Sequence, residues 1–260
     1  MPDRPDTEPL RAGRPAPGSA SPAVAAVAPG LVEDLVAANH ILFRQGVVDG
    51  FGHVSVRHDR DRERFLLARS MAPALVSETD IMEFGLDGEA IGSESRTAYL
   101  ERFIHSEIYR LRPDVVAVVH SHSPAVIPFG IVSGVPLRPV CHMCGFLGTG
   151  TPIFEIREAA GPASDMLIRN RALGAALARS LGSHAAVLMR GHGSTVVGGS
   201  LRQAVFRAVY TEMNAKLQGE ALRLGPVTYL NAEEAAAAAA ANDGQINRAW
   251  ELWRRQATSG

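Results

Sequence analysis

The chain has 260 residues, 46% of them hydrophobic and 20% charged, with 26 Lys and Arg against 27 Asp and Glu and a formal net charge of -1. That length supplies one large domain with a real core, or two small ones. A near-neutral surface of mixed sign steers the chain neither to nucleic acid nor to an anionic membrane. The two cysteines, Cys141 and Cys144 in Cys-His-Met-Cys, form one close pair that cannot staple so long a fold, which excludes a disulfide-built secreted scaffold. A structural zinc site lacks a second Cys/His pair. A redox Cys-x-x-Cys lacks the usual helix start directly after a strand.

Residues 1–30 are rich in Pro, Ala, Gly, Ser and Arg and read as a disordered tail, the run from Ala23 to Val27 being too short for a signal segment. No apolar stretch reaches membrane-spanning length, and a cytoplasmic protein is the default expectation. Leu31, Leu35, Ala38, Ile41 and Leu42 recur at helical spacing up to a stop at Gly46. Gly52 to Arg57 alternates as a strand, with Arg64 to Ala68 as its hairpin partner across Asp59 to Asp61. Ile81 to Phe84 and Ala90-Ile91 flank the turn Asp87-Gly88 as a short strand pair. Thr97 to Arg112 predicts a helix with the apolar stripe Leu100, Phe103, Ile104, Ile108 and Leu111, while Glu101, His105 and Tyr109 lie one turn apart on another face. Val115 to Val119 is a buried strand running into His120-Ser121-His122. Ser164 to Leu181 predicts a helix stopped by Gly182, and Ala185 to Met189 a second buried strand ending at Arg190-Gly191-His192-Gly193, with Thr195 to Val197 a short strand after it. Leu201 to Leu224 is a long helix, Asn231 with Glu234 is a capping box for an alanine-rich helix, and Ile246 to Arg255 is a final helix that docks through Trp250 and Trp253. Helices and strands intermix with no long linker, so the expected architecture is α/β in a single domain.

His120 and His122 stand at i, i+2 where a strand leaves its sheet. Period two points both imidazoles the same way, so they can chelate one ion. His192 ends another strand between two glycines, which let backbone turn sharply and approach closely. Glu101 offers an oxygen ligand or a general base. Three imidazoles and a carboxylate suit Zn²⁺, Mn²⁺ or Fe²⁺. The competing reading makes them strand-end histidines with local hydrogen bonds; spacing alone does not join the three in space.

The succession Gly52-His53-Val54-Ser55-Val56-Arg57, Glu101 on a helix, Val118-Val119-His120-Ser121-His122 and Arg190-Gly191-His192-Gly193 resembles the class II aldolase/adducin family over residues 31–235. The resemblance implies an α/β/α sandwich around a mostly antiparallel central sheet for 31–235, leaving 236–260 as a C-terminal helical extension. It implies one divalent metal ion per subunit, held by His120, His122 and His192 with Glu101 as ligand and acid/base and His105 as the helix histidine. It also implies homo-oligomers, commonly tetramers, with active sites near subunit interfaces. Aldolases of the family cradle a phosphate with an asparagine, a Thr-Gly pair and two serines. Here those places hold His53, Ser70-Met71, and Tyr99 with Leu100, so phosphate recognition in the family's manner is not expected.

A second likeness rests on Val119-His120-Ser121-His122-Ser123-Pro124, Pro139-Val140-Cys141-His142-Met143 and Leu188-Met189-Arg190-Gly191-His192-Gly193. These are similar to the family's decarboxylases of hydroxylated aromatic or pyridine dicarboxylates. That branch implies a metal-dependent, non-oxidative decarboxylase of a small hydroxyaromatic carboxylate. Beside that likeness, His53 and His142 are candidates for substrate contact or acid/base help, Ser70 and Tyr210 for substrate contact, and Arg57, Arg69 and Arg102 for clamping a second carboxylate if the substrate has one. The alternatives are a class II aldolase or epimerase on a non-phosphorylated hydroxy-carbonyl compound, and a non-enzymatic adducin-like scaffold. Retention of Glu101 and all three histidines counts against the scaffold.

Overall fold

The computed structural model of the chain describes residues 26–92 and 94–258. The tail expected over 1–30 lies outside the described residues as far as residue 25, and Pro29 already opens the first helix. Among the described residues seven strands form one sheet: β1 (His53–Arg57), β2 (Arg64–Ala68), β3 (Ile81–Gly85), β4 (Ala117–Ser121), β5 (Ile153–Phe154), β6 (Ala186–Met189) and β7 (Gly193–Gly198). Their order is β3-β2-β1-β4-β7-β6-β5, and every neighbouring pair is antiparallel except β5 with β6. The helices are α1 (Pro29–Arg44), α2 (Arg102–Leu111), α3 (Ile127–Ile131), α4 (Ile156–Ala160), α5 (Arg171–Leu181), α6 (Leu201–Leu224), α7 (Ala232–Asp243) and α8 (Ile246–Thr258).

Side-chain alternation along the strands divides the core in two. Val54, Val56, Val119, Leu188 and Val196 face one side, where they meet Leu35 and Ile41 of α1, Val205 of α6 and Trp250 of α8. Phe65, Leu67, Val118, Val187 and Val197 face the other, against Ile104 and Ile108 of α2 and Leu177 and Leu181 of α5. The result is the expected α/β/α sandwich around a mostly antiparallel sheet. Trp250 and Trp253 of the last helix are buried in the same core as α1 and α6, so α8 closes one face of the sheet.

Two helices begin later than their apolar stripes predict, for identifiable reasons. The segment before α2 is held beside residues 70–71, where the Ser70 N–H donates to Thr97 O at 2.7 Å and the Tyr99 hydroxyl donates to Met71 O. Glu101 therefore occupies the position just before the first helical residue. The helix predicted from Ser164 starts only at Arg171, because Asn170 caps it by accepting from Leu173 N–H at 3.0 Å. Residues 164–169 form a loop in which Met166 takes the left-handed conformation, φ +67°.

Helix α6 also carries buried polar residues that the sequence did not flag. Asn214 accepts from Val140 N–H at 2.9 Å and donates to Arg138 O at 2.8 Å. Gln218 accepts from Arg138 N–H at 3.0 Å and donates to Pro136 O at 2.8 Å. These two amides satisfy backbone groups of Pro136, Arg138 and Val140, residues that belong to no strand. Two residues before Asn214, the buried Glu212 accepts from the Ser123 hydroxyl at 2.7 Å and from Ala125 N–H at 3.2 Å, tying down the chain directly after His122. Asn214→Leu, similar in volume, strands the Val140 N–H and the Arg138 carbonyl in the core. The expected loss is about 1–3 kcal/mol of unfolding free energy, read from urea denaturation of the two proteins.

Candidate metal centre

The sheet builds the site at the ends of three neighbouring strands. His120 is the fourth residue of β4, and His122 follows one residue beyond its end. His192 sits in the tight β6–β7 connection, whose last and first residues, Met189 and Gly193, pair directly. The two glycines around it have separate tasks. Gly191 turns the chain at φ +66°. Gly193 packs so closely against β4 that a Cβ there would stand 2.0 Å from Ser121 O. That close approach brings His192 beside the His-x-His pair, and Glu101 reaches in from the start of α2.

The donor atoms converge. His192 Nε2 lies 2.9 Å and His120 Nε2 3.3 Å from His122 Nε2. Glu101 Oε2 lies 3.6 Å from His120 Nε2 and 3.5 Å from His192 Nε2. All four donors fall within 4.8 Å of one another. Tetrahedral donors at ordinary Zn–N and Zn–O lengths are separated by about 3.4 Å, so the spacing fits one divalent ion. The expected set of Glu101, His120, His122 and His192 thus forms a single divalent-metal site.

Electrostatics supports the assignment. Burial, followed by the neighbouring His53, His192 and His122, holds His120 well below the ordinary imidazole range. Burial and then His192 lower His122 as well. Both rings are neutral near pH 7 and keep lone pairs for a cation. Burial raises the Glu101 carboxyl, against the attraction of His192 and the hydrogen bond from Ile168 N–H. Four crowded polar donors with so little water are costly unless a cation binds them.

The loop 164–169, expected as helix, orients the donors. The Met166 carbonyl accepts from His192 Nδ1 at 3.0 Å, which leaves Nε2 unprotonated and aimed at the site. Ile168 N–H donates to Glu101 Oε1 at 2.9 Å and turns Oε2 toward the imidazoles. Both contacts use backbone atoms, so no side chain signals them in the sequence. His120 Nδ1 is buried without a hydrogen-bond partner among the described residues.

A cavity of about 340 Å³ opens beside the cluster, with Phe51, Met71, Tyr99, Leu100 and Leu167 among its walls. His53 and Ser70 line it too, and the Phe51 ring stacks over His122 at 6.1 Å between centroids. Other candidates lie elsewhere. Arg57 spends its guanidinium on the carbonyls of Val115, Tyr109, Arg112 and Arg62. Arg69 pairs with Asp80 at 2.7 Å. Arg102 donates to Gly88 O at 2.6 Å and pairs with Glu89 at 3.3 Å. None of these three arginines lines the cavity, because each guanidinium satisfies local carbonyls or a carboxylate. His142 opens a two-turn 3₁₀ helix (His142–Leu147) against α7, where its carbonyl accepts from Asn242 at 2.8 Å. Tyr210 packs its ring, tilted, against Phe206 and Trp253 in the α6/α8 layer. The structure brings neither residue to the cavity.

Two outcomes test the centre. Gly193→Ala, which removes no donor, is expected to lower metal content by prising β7 from β4; elemental analysis of the dialysed protein reads it. Because burial depresses His120 and His122 below the ordinary value of 6.5, protons compete poorly with the ion. Metal is expected to stay bound as pH falls through 6.5 and to leave only at lower pH. Loss centred at or above 6.5 would contradict the site's electrostatics.

The model for the class II aldolase and adducin N-terminal domain matches residues 33–219. The chain is 39% identical to the decarboxylase tropJ of Talaromyces stipitatus, over 88% of this chain and 94% of that protein. It is 34% identical to the 3,4-dihydroxyphthalate decarboxylase of Arthrobacter keyseri, over 72% of this chain and 77% of that one. The solved structure of an L-fuculose 1-phosphate aldolase from Glaciozyma antarctica superposes with a TM-score of 0.70 at 24% identity, covering 87% of this chain and 89% of the other. Fold, donor set and sequence agree: the chain belongs to the class II aldolase/adducin family.

Proposed function

We propose that this protein is a divalent-metal-dependent, non-oxidative decarboxylase of a hydroxylated aromatic or pyridine carboxylate. The observation that carries the reading is the four-donor cluster opening onto a cavity walled by aromatic and aliphatic side chains. The cavity has room for a single substituted ring, and the two decarboxylase relatives support the reaction class. The aldolase alternative has less support. Tyr99 commits its hydroxyl to Met71 O and Leu100 has none, so these two side chains leave no donors for a sugar phosphate.

Bound at Glu101, His120, His122 and His192, a divalent cation supplies a Lewis acid for a neighbouring hydroxyl and carboxylate. The protein's own groups do the rest. Phe51, Leu100 and Leu167 wall the cavity and pack against the ring beside the cluster. The C–C bond to the carboxylate breaks with its electron pair left on the ring carbon. Glu101, whose carboxyl is raised by burial, delivers a proton to that carbon and is reprotonated from solvent. One carboxylate and one proton become carbon dioxide and a ring C–H. Glu101 is thus a donor of the resting site and the proton carrier in turnover.

The reading extends to a cytoplasmic homo-oligomer active in aromatic catabolism, with sites near subunit interfaces. Support comes from the exposed apolar side chains beside the cavity, Phe51 at 69% and Leu100 at 44%. Among the described residues no helix is long and apolar enough to cross a membrane.

The test is carbon dioxide release from a panel of ortho-hydroxy aromatic and pyridine carboxylates, after separate reconstitution with Mn²⁺, Zn²⁺ and Fe²⁺. Release that stops on chelation is expected. Absence of release from a fully loaded protein would reject the decarboxylase reading. Glu101→Gln is expected to keep most of the metal while turnover falls by at least roughly 100-fold, whereas His120→Ala loses the metal itself.

A further inference from the structure

Behind the cavity runs a buried polar chain for which the metal site has no use. His53 Nδ1 lies 2.6 Å from His105 Nε2, His105 Nδ1 lies 2.6 Å from Ser55 Oγ, and Ser55 Oγ lies 2.7 Å from the Tyr109 hydroxyl. The phenol then donates to Val116 O at 3.4 Å. The four side chains come from two periodicities, i, i+2 on β1 and i, i+4 on α2. All are buried, and Phe65 packs its ring against both His105 and Tyr109. Arg57 braces the far end, with its guanidinium 4.7 Å above the Tyr109 ring.

We assign the proton positions from the far end of the chain: Val116 O can only accept, so Tyr109 is taken to donate to it and to accept from the Ser55 hydroxyl. Ser55 in turn accepts from His105 Nδ1–H, and His105 Nε2 accepts from His53 Nδ1–H. A neutral imidazole has one donor and one acceptor. Burial holds the His105 ring in that state, lowering it to about 3, and the 2.6 Å contact of its Nε2 with His53 Nδ1 passes the same donor-to-acceptor order on to His53. One nitrogen remains. Among the described residues His53 Nε2 has no hydrogen-bond partner, and the His53 side chain lines the cavity.

We propose that His53 presents an unprotonated Nε2 to the cavity and reads the hydroxyl of a hydroxyaromatic substrate as a hydrogen-bond acceptor, in a tautomer set by His105, Ser55 and Tyr109. His53 is the group in contact with substrate; the other three are positioning residues. The substrate class narrows accordingly. A ring with an O–H donor beside its carboxylate is favoured over its methyl ether, by roughly tenfold for one neutral hydrogen bond. This specificity rests on the decarboxylase reading, whereas the direction of the hydrogen-bond chain does not.

The test uses the zinc-loaded full chain labelled with ¹⁵N-histidine, with His53 assigned by His53→Asn. In the resting protein His53 is expected to show a pyridine-type Nε2 and a pyrrole-type Nδ1. Salicylate, used as the probe, is expected to shift the Nε2 signal on binding, and ortho-methoxybenzoate to leave it in place. Tyr109→Phe removes the acceptor of the Ser55 hydroxyl. Ser55 then donates to His105 Nδ1, both imidazoles exchange tautomers, and the preference for salicylate over its ether falls by the same factor of roughly ten. A pyrrole-type Nε2 in the unmodified protein overturns the proposal without any variant, and so does salicylate that binds without moving Nε2. If Tyr109→Phe fails to fold, Ser55→Ala provides the second variant, with loss of a single defined tautomer expected and an unchanged spectrum contradicting the chain. The expected spectrum without carbon dioxide release would reject the decarboxylase reading alone. Release with the reversed tautomer would reject this inference alone.

Discussion

Three imidazole nitrogens and a carboxylate oxygen confined within 4.8 Å, nearly out of water, are the constraint around which the rest of this molecule is arranged. Each group loses hydration on entering the cluster, and lone pairs pointed at one another repel. Only a cation makes the arrangement favourable, and only rigid surroundings keep it assembled before one binds. Rigidity comes from three directions. The sheet supplies the approach of β7 to β4 that Gly193 permits. The loop before α5 supplies Met166 O and Ile168 N–H. Helix α6 supplies Glu212, which holds the chain just beyond His122. The three supports are far apart in sequence and share no side-chain motif, yet each fixes a donor or its immediate neighbour.

Features read correctly from the sequence share a local cause. His120 and His122 are legible as a chelating pair because strand periodicity is two, and His192 because glycines flank it. The strands β1, β2, β4 and β6 are legible because alternation or an unbroken apolar run persists for four or five residues. The failures also share a cause. Met166, Leu167 and Ile168 extend the apolar spacing of α5 backwards, so they imitate a helix, whereas backbone hydrogen bonding to His192 and Glu101 holds them in a loop. The start of α2 is displaced in the same way by pairing with residues 70–71. The arginine candidates fail because a guanidinium satisfies whichever carbonyls are nearest once the chain folds, and sequence spacing does not reveal those partners.

The resemblance to aldolases and the decarboxylase reading meet in one chemical demand. Both reactions release an electron pair onto carbon next to an oxygen that a metal can polarise, so one donor cluster serves either. The distinction therefore lies in the cavity wall. Where a phosphate-binding relative needs several converging donors, this chain places the leucine side chain of Leu100 and a tyrosine whose hydroxyl is already engaged. An apolar wall suits a flat ring and offers little to a phosphorylated sugar.

Strand β1 shows how this division is built into a single element. Its odd positions, His53, Ser55 and Arg57, face α2, while Val54 and Val56 face the α1/α6 core. Along the odd face, distance from the metal decides the task. His53 reaches the cavity, Ser55 two residues on lies within the buried chain, and Arg57 at the far end is consumed by backbone carbonyls. An arginine in the place of His53 would meet His120 across the strand pair and His105 from α2, putting a fixed positive charge against a site meant for a cation. A neutral ring of limited reach, with one nitrogen anchored in the protein and the other open, suits that position because it adds recognition without charge.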